Sequence, residues 1–414
     1  MNTIEPIESQ VSDPRVMDGQ HTHGRLTDHR DFLVRVRRHL HMNPELGFQE
    51  FKTSEFIRAT LEDQGLTVLG PVADTGLVID IEGERPGELV AYRADIDALP
   101  IQDCKEVPYA STVPGIAHLC GHDAHMTVGM GVALKLHHRR HELQGGVRVF
   151  FQPCEEGNPS GAQPMIRAGV LEGVGAVYAI HVDPTLPVGR FGLKKGPITA
   201  GYDSFSICVK GNSTGHSARP HQTSDTIWLA SQVMNTLYQL VGRVNDARNS
   251  AVLTITRIHA GKALNVIPKE VEFAGSIRCI NRDDRTYLRR QVEKTTRHFA
   301  ALYNAEIDFE LYAGAPAVSN DPGLIDTVKE TIVERFGKEA IFEVPVPSMG
   351  SEDFAHYLDH IPGALIRVGT SDGPSTSYQL HDSRFDIAES MLPIATDMVS
   401  DMLINHLRRR AKMA

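Results

Sequence analysis

Nine residues, AHLCGHDAH at 117–125, hold one cysteine, one aspartate and three histidines in a chain with only five cysteines. Cys120 and His122 flank Gly121. On extended backbone, side chains two positions apart fall on the same side, and glycine lets the chain turn tightly between them. A thiolate beside an imidazole suits Zn²⁺ or a neighbouring transition metal. The pair alone is more often a buried thiol and a satisfied histidine, so other segments must supply further ligands.

Four segments offer them. FFQPCEEG ends in the adjacent carboxylates Glu155 and Glu156. Pointing opposite ways on extended chain, one can hold a metal while the other moves a proton; a solvated acidic turn is the plain alternative. AVYAIHV is an apolar strand reaching His181, and strand ends are where α/β sheets place their sites, although a lone histidine there is more often structural. QLHDSRFD presents His381 after a polar loop, and AYRADIDALP runs a strand into Asp95 and Asp97. Buried aspartates are costly unless paired, ligated or hydrogen-bonded.

Elements must position these groups. DFLVRVRRHLHMNPELGFQEFKTSEFIRATLEDQG reads as two helices broken at Asn43–Pro44. GLVIDIEG, ELVAYRAD, GVRVFFQP and GAVYAIHV read as buried strands, with a helix in MTVGMGVALKLHHRR. The alternation predicts an α/β layer with a mixed, largely parallel sheet. From Gly201 the order becomes βαββαβ, that of a ferredoxin-like domain. Its first helix is expected to bury Ile227, Ala230, Met234, Leu237 and Val241. The expected organisation is a polar leader at 1–28, a catalytic domain from 29–199 and 314–414, and an inserted domain at 200–313. A chain of 414 residues is long enough for two domains.

Composition narrows the function. The formal net charge of −10 disfavours nucleic-acid partners. No apolar run approaches the ~18–20 residues that span a bilayer, and the N-terminal stretch lacks the basic and apolar regions of a secretory signal. The five cysteines share no framework spacing, so reduced thiols and a cytoplasmic location are expected.

YRADIDALP, CGHDAH, EEG, AIHV, GHSARPH, NVIP, GSEDF and LHDSRFD, in that order, together resemble the M20 metallopeptidase superfamily. The nearest likeness is to its amidohydrolase branch, which includes hippurate hydrolase, indole-acetyl-amino-acid hydrolases and N-acyl-amino-acid amidohydrolases. It runs from about Asp31 to Arg408. The resemblance implies that Cys120, His122, Glu156, His181 and His381 are metal ligands. Five ligands exceed one tetrahedral site and favour two divalent transition-metal ions, with zinc, manganese, cobalt and nickel all open. It implies that Glu155 is the general base for water activated at the metals, that Asp97 lies beside the ligands, and that Asp123 and His125 orient them. His216 of GHSARPH would reach into a partner subunit's site, which implies a homodimer through the inserted domain and allows a larger assembly. Asn265 of NVIP and Arg278 would grip a substrate carboxylate, and Gly350 of GSEDF joins the substrate-binding set. Cys154 departs from the branch, where alanine is usual.

The activity implied is hydrolysis of an amide in N-acyl amino acids or related aromatic amides. Deamination of an aryl amine or an N-carbamoyl hydrolase reaction keeps the same machinery. A non-catalytic metal-binding protein is the reading from another class.

Overall fold

The computed structural model describes residues 29–303 and 305–413; the expected leader lies outside them. Helices α1 (His29–Met42) and α2 (Phe51–Asp63) precede strands β1 (Leu69–Val72), β2 (Gly76–Glu82) and β3 (Arg85–Asp95). Next come α3 (His122–His138), β4 (Gln144–Gln152), α4 (Ala162–Arg167), β5 (Val174–Pro187), β6 (Phe191–Leu193) and β7 (Gly196–Pro197). The following stretch contains β8 (Gly201–Lys210), β9 (Gly215–His216), α5 (Thr226–Arg243), β10 (Ala251–Ala260), β11 (Val266–Ile267), β12 (Glu270–Cys279), α6 (Arg282–Leu302) and β13 (Glu306–Ala313). The chain closes with β14 (Ser319–Asn320), α7 (Pro322–Phe336), β15 (Ile341–Glu343), α8 (Ala355–Leu358), β16 (Gly363–Ser371) and α9 (Met391–Met413).

Eight strands form the larger sheet in the order β1-β2-β4-β3-β5-β16-β6-β15. Its centre is parallel, β4 with β3, β3 with β5 and β5 with β16, while β1, β2 and β6 pair antiparallel towards the edges. The sheet is therefore mixed around a parallel middle, an α/β architecture. Side chains alternate between its faces. Val147, Val149 and Phe151 of β4 join the core that includes α1, α3 and α9, whereas Phe150 joins the one that includes Ala162, Met165 and Tyr357 of α4 and α8. By the same alternation Arg93, Asp95 and His181 share the face of Ala91, Val177 and Ala179, on the α4 and α8 side. Helix α3 is buried along nearly its whole length, as expected of a helix that is apolar on all sides. It is thus a fixed post from whose first turn functional groups can project.

The second sheet is antiparallel, in the order β10-β12-β8-β13. Phe205, Ile207 and Val209 of β8 face a separate core with Leu229, Val233 and Leu237 of α5 and Leu288 and Val292 of α6. This is the expected βαββαβ order. The buried face of α5 overlaps the expected stripe and is wider: Ala230 and Leu237 are buried as expected, and Met234 and Val241 pack partly buried against the same core. Leu229, Val233 and Leu240 are buried as well, whereas Ile227 is exposed at 49%. Apolar residues occupy more than one side of this helix, so spacing alone left its rotation ambiguous. The two connections between the sheets pair with each other, Ser319 opposite Pro197 and Asn320 opposite Gly196. Among the described residues no helix is long and apolar enough to cross a membrane.

Candidate functional site

The turn into α3 brings the first ligand candidates together, though not on extended backbone. Gly121 is left-handed at φ 82°, and a Cβ there would lie 2.4 Å from Cγ2 of Val182. Only glycine fits both constraints. The turn sets the thiol of Cys120 3.6 Å from Nε2 of His181.

Both neighbouring imidazoles are oriented by backbone carbonyls. Nδ1 of His122 lies 2.9 Å from the carbonyl of Asp97, and Nδ1 of His181 lies 2.8 Å from that of Val182. A ring that donates through Nδ1 presents Nε2 to its surroundings, and the buried Nε2 of His122 has no hydrogen-bond partner among the described residues. His125 is already committed. Its Nε2 accepts the N–H of Val182 at 3.0 Å, so Nδ1 carries the proton and donates to Asp95 at 2.6 Å. Asp123 is likewise held behind the site by Arg37 and His41, at 2.8 and 2.7 Å.

Glu155 and Glu156 follow the end of β4 on a sharp bend rather than an extended strand. Cys154 is left-handed at φ 50°, and its N–H donates to Glu50 at 2.9 Å. The two carboxylates still diverge. Glu156 lies 3.1 Å from Nε2 of His381, and its N–H donates to Oδ2 of Asp97 at 2.9 Å. Glu155 accepts the N–H of Asp353 at 3.4 Å and lies 4.0 Å from Nε2 of His122. His381 is left-handed too, at φ 68°, and its N–H donates to the carbonyl of Leu119 at 2.8 Å.

The potential ligand atoms form overlapping groups within 4.8 Å: Cys120 with His122 and His181, Cys120 with Glu156 and His381, and His122 with Glu155 and Glu156. The structure thus gathers the five expected ligand residues and Glu155, with Asp97 directly behind. Cys120 is common to two groups.

The electrostatics favour cations. Burial pushes Glu155 well above the usual carboxylate range, and Glu352, Glu156 and Asp353 add to it. Asp353 rises to about 7 through burial and Glu352, although Arg93 opposes. Burial works against a charged His122, yet Asp95 and Asp97 carry it up to about 10. Burial draws His181 down to about 4. Carboxylate excess, an unpartnered imidazole nitrogen and a thiol are together a donor set suited to transition metals.

The residues expected on the inserted sheet are not part of these groups. His216 is exposed on β9 opposite Val266, with Nδ1 accepting the N–H of Ala218 at 3.1 Å. Asn265 is exposed, and its carbonyl accepts the N–H of Ser217 at 3.1 Å. Arg278 donates to the carbonyl of Met349 at 2.8 Å and lies over the ring of Tyr202 at 4.7 Å. Gly350 accepts the N–H of Ala200 at 2.9 Å. Arg278 and Gly350 therefore meet where the two sheets join, while His216 and Asn265 lie on a small ribbon of the insert. Four further residues had not been anticipated as part of the site: Arg93, Gln152, Glu352 and Asp353. The only traces of them in the sequence are an arginine inside an apolar strand and the adjacent acids of GSEDF.

Comparison with known proteins agrees with this geometry. The sequence profile of peptidase family M20/M25/M40 matches residues 91–405. The chain is 37% identical to N-acetylcysteine deacetylase of Bacillus subtilis, covering 90% of this chain and 96% of the relative. It is 36% identical to IAA-amino acid hydrolase ILR1-like 2 of Arabidopsis thaliana, covering 92% and 86%. Among solved structures it is similar to the Bacillus subtilis YXEP protein, described as a dinuclear metal binding peptidase of the M20 family. That match has a TM-score of 0.80 and 35% identity, covering 92% of this chain and 99% of that one. Fold, gathered residues and relatives agree: the chain belongs to peptidase family M20/M25/M40, in its amidohydrolase branch, and is a hydrolase.

Proposed function

We propose that the protein hydrolyses the amide bond of N-acyl amino acids or related aromatic amides, using two divalent transition-metal ions. The observation that carries this reading is the pair of ligand-atom groups sharing Cys120, with Glu155 beside them. Cys120, His122, Glu156, His181 and His381 would hold the ions, with Asp97 steadying His122 and Glu156 from behind. Bound metal of this kind lowers the pKa of water towards neutrality and polarises a carbonyl.

Glu155 takes the proton of the attacking water and returns it to the leaving nitrogen. Its position suits both transfers, because it faces His122 yet is not paired with His381 as Glu156 is. Arg278 and Gly350, at the junction of the sheets, are suited to receive the carboxylate end of an N-acyl amino acid, with Asn265 contributing from the insert. His216 is exposed with Nε2 unengaged by its own ribbon, which supports action in the site of a second copy, hence a homodimer through the inserted unit. The free thiols of all five cysteines support a cytoplasmic setting. The names of the deacetylase and the IAA-amino acid hydrolase favour an N-acylated amino acid as substrate.

Amino-acid release from N-acetyl, N-benzoyl and indole-acetyl amino acids, followed with Glu155→Gln alongside, tests the proposal. The variant is expected to keep its metal and lose roughly 10²-fold or more in kcat. Full activity refutes the role of Glu155, and ammonia release without amino-acid release refutes the substrate class. Mixing His216→Ala with Glu155→Gln subunits should restore about one working site per heterodimer; no recovery refutes the partner's role.

A further inference from the structure

Arg93 lies on β3 and is buried, with 1% of its surface exposed. Its three nitrogens are all engaged. Nε donates to Gln152 at 2.8 Å, Nη1 to Asp95 at 2.5 Å and Nη2 to Asp353 at 2.6 Å. Glu352 lies 3.2 Å from Nη2. The side-chain amide of Gln152 closes the ring by donating to the other oxygen of Asp353 at 2.7 Å, and the hydroxyl of Tyr357 donates to Gln152 at 3.0 Å.

Two arms leave this guanidinium. One runs through Asp95 to Nδ1 of His125, whose Nε2 accepts the N–H of Val182, the residue after His181. The other runs through Asp353, whose N–H points to Glu155. A planar fork holds several acceptors in fixed directions, whereas a lysine of equal charge is one point on a flexible stem.

We propose that Arg93 is a positioning residue that sets the spacing between the imidazole side of the site, through Asp95, and Glu155, through Asp353. This rests on the reading of Glu155 as the base. Misplacing a base by about 1 Å can cost ~10²-fold in rate, so the fork and not the charge alone is what the site requires.

The test uses the full-length metal-loaded protein with Arg93→Lys, Asp353→Asn, the double variant and Glu155→Gln. Arg93→Lys is expected to lower kcat ~10²-fold while KM and metal per chain stay as in the wild type. In the cobalt-substituted protein its visible absorption shifts, because the arm to His181 relaxes, while Asp353→Asn leaves that spectrum unchanged. The double variant is no slower than Arg93→Lys, since the arm to Glu155 is already cut. A kcat for Arg93→Lys within twofold of wild type, fully additive losses, an unshifted cobalt spectrum or a loss explained by metal depletion overturns the proposal. Should Arg93→Lys not fold, Asp353→Asn decides: at least a tenfold fall in kcat with the cobalt spectrum intact supports the arm to Glu155, and a smaller fall overturns it. Glu155→Gln separates the two readings. Full turnover there removes the base, whereas an inactive Glu155→Gln with additive Arg93 and Asp353 losses removes only the positioning role.

Discussion

Asp97 holds two parts of the site at once: its backbone carbonyl lies 2.9 Å from Nδ1 of His122, and its carboxylate accepts the N–H of Glu156 at 2.9 Å. Groups that orient ligands typically contribute 10–100-fold in metal affinity. Asp97→Ala is therefore expected to bind metal roughly 10–100-fold more weakly. Asp97→Asn, which can still accept the N–H of Glu156, should lose less. Competition against a chromogenic chelator measures both, and equal affinities for the two variants would contradict the assignment.

The shared thiol makes a prediction about stoichiometry. Cys120 belongs to two ligand-atom groups, whereas His381 belongs to one. His381→Ala should retain about one ion per chain, and Cys120→Ala should fall below that, because both sites lose a donor. Elemental analysis after dialysis reads the difference directly.

Removing metal should destabilise the fold. Cys120, His122, Glu156, His181 and His381 place potential ligand atoms within 4.8 Å of one another in overlapping groups, an arrangement that only the folded chain provides. Any ligand bound only by the native state adds about 2.7 kcal/mol at one hundred times its Kd. A chelator is thus expected to lower Tm by several degrees, and reloading to restore it. A Tm insensitive to chelation would argue against cation binding by the groups that share Cys120.

Arg37 makes a prediction about acid stability. It is buried between Asp123 and Asp386, at 2.8 and 2.7 Å. Burial works against ionised Asp386, but Arg37 and His41 outweigh it and hold its carboxyl below the usual range. An acid held low in the native state stabilises it above the unfolded value, ~3.9 for aspartate, and that contribution fades as pH falls through the native value. Arg37→Met leaves two buried carboxylates without their partner and should cost about 3–5 kcal/mol near neutrality. It should also flatten the decline of stability below about pH 4. Urea titrations across pH would show both effects.

The chain's only tryptophan, Trp228, sits on α5. Leu237 of the same helix is fully buried in the separate core of the second sheet. Leu237→Ala is expected to cost about 2–5 kcal/mol, seen as an earlier fluorescence transition in urea with metal content unchanged. Loss of metal in step with that transition would tie the two cores together.

Much of this arrangement could be read from motifs. CGHDAH, EEG, AIHV and LHDSRFD named the residues that gather, and the switch to βαββαβ at Gly201 located the second sheet. The local geometry could not be read in the same way. Extended backbone was expected at 120–122 and 155–156, but left-handed turns at Gly121 and Cys154 produce the same juxtapositions. Arg93 was invisible as a site residue because its partner Asp353 lies 260 positions away. An arginine in a strand gains meaning only when distant acids arrive beside it. Short pieces such as β6, β15 and α8 carry too few residues to establish a period, and the rotation of α5 depended on which of its apolar sides met the sheet.

The paired crossing at β7 and β14 makes a single doorway of the entry and exit of the second sheet. With Asn320 opposite Gly196, none of the eight strands of the larger sheet lies between them, so a replacement that keeps the buried Ile198 and Val318 at its roots leaves the order of that sheet unchanged. A foreign module with neighbouring ends can be spliced in at that doorway just as simply, so the architecture lets the half bearing Cys120 be kept while the half bearing Arg278 is exchanged.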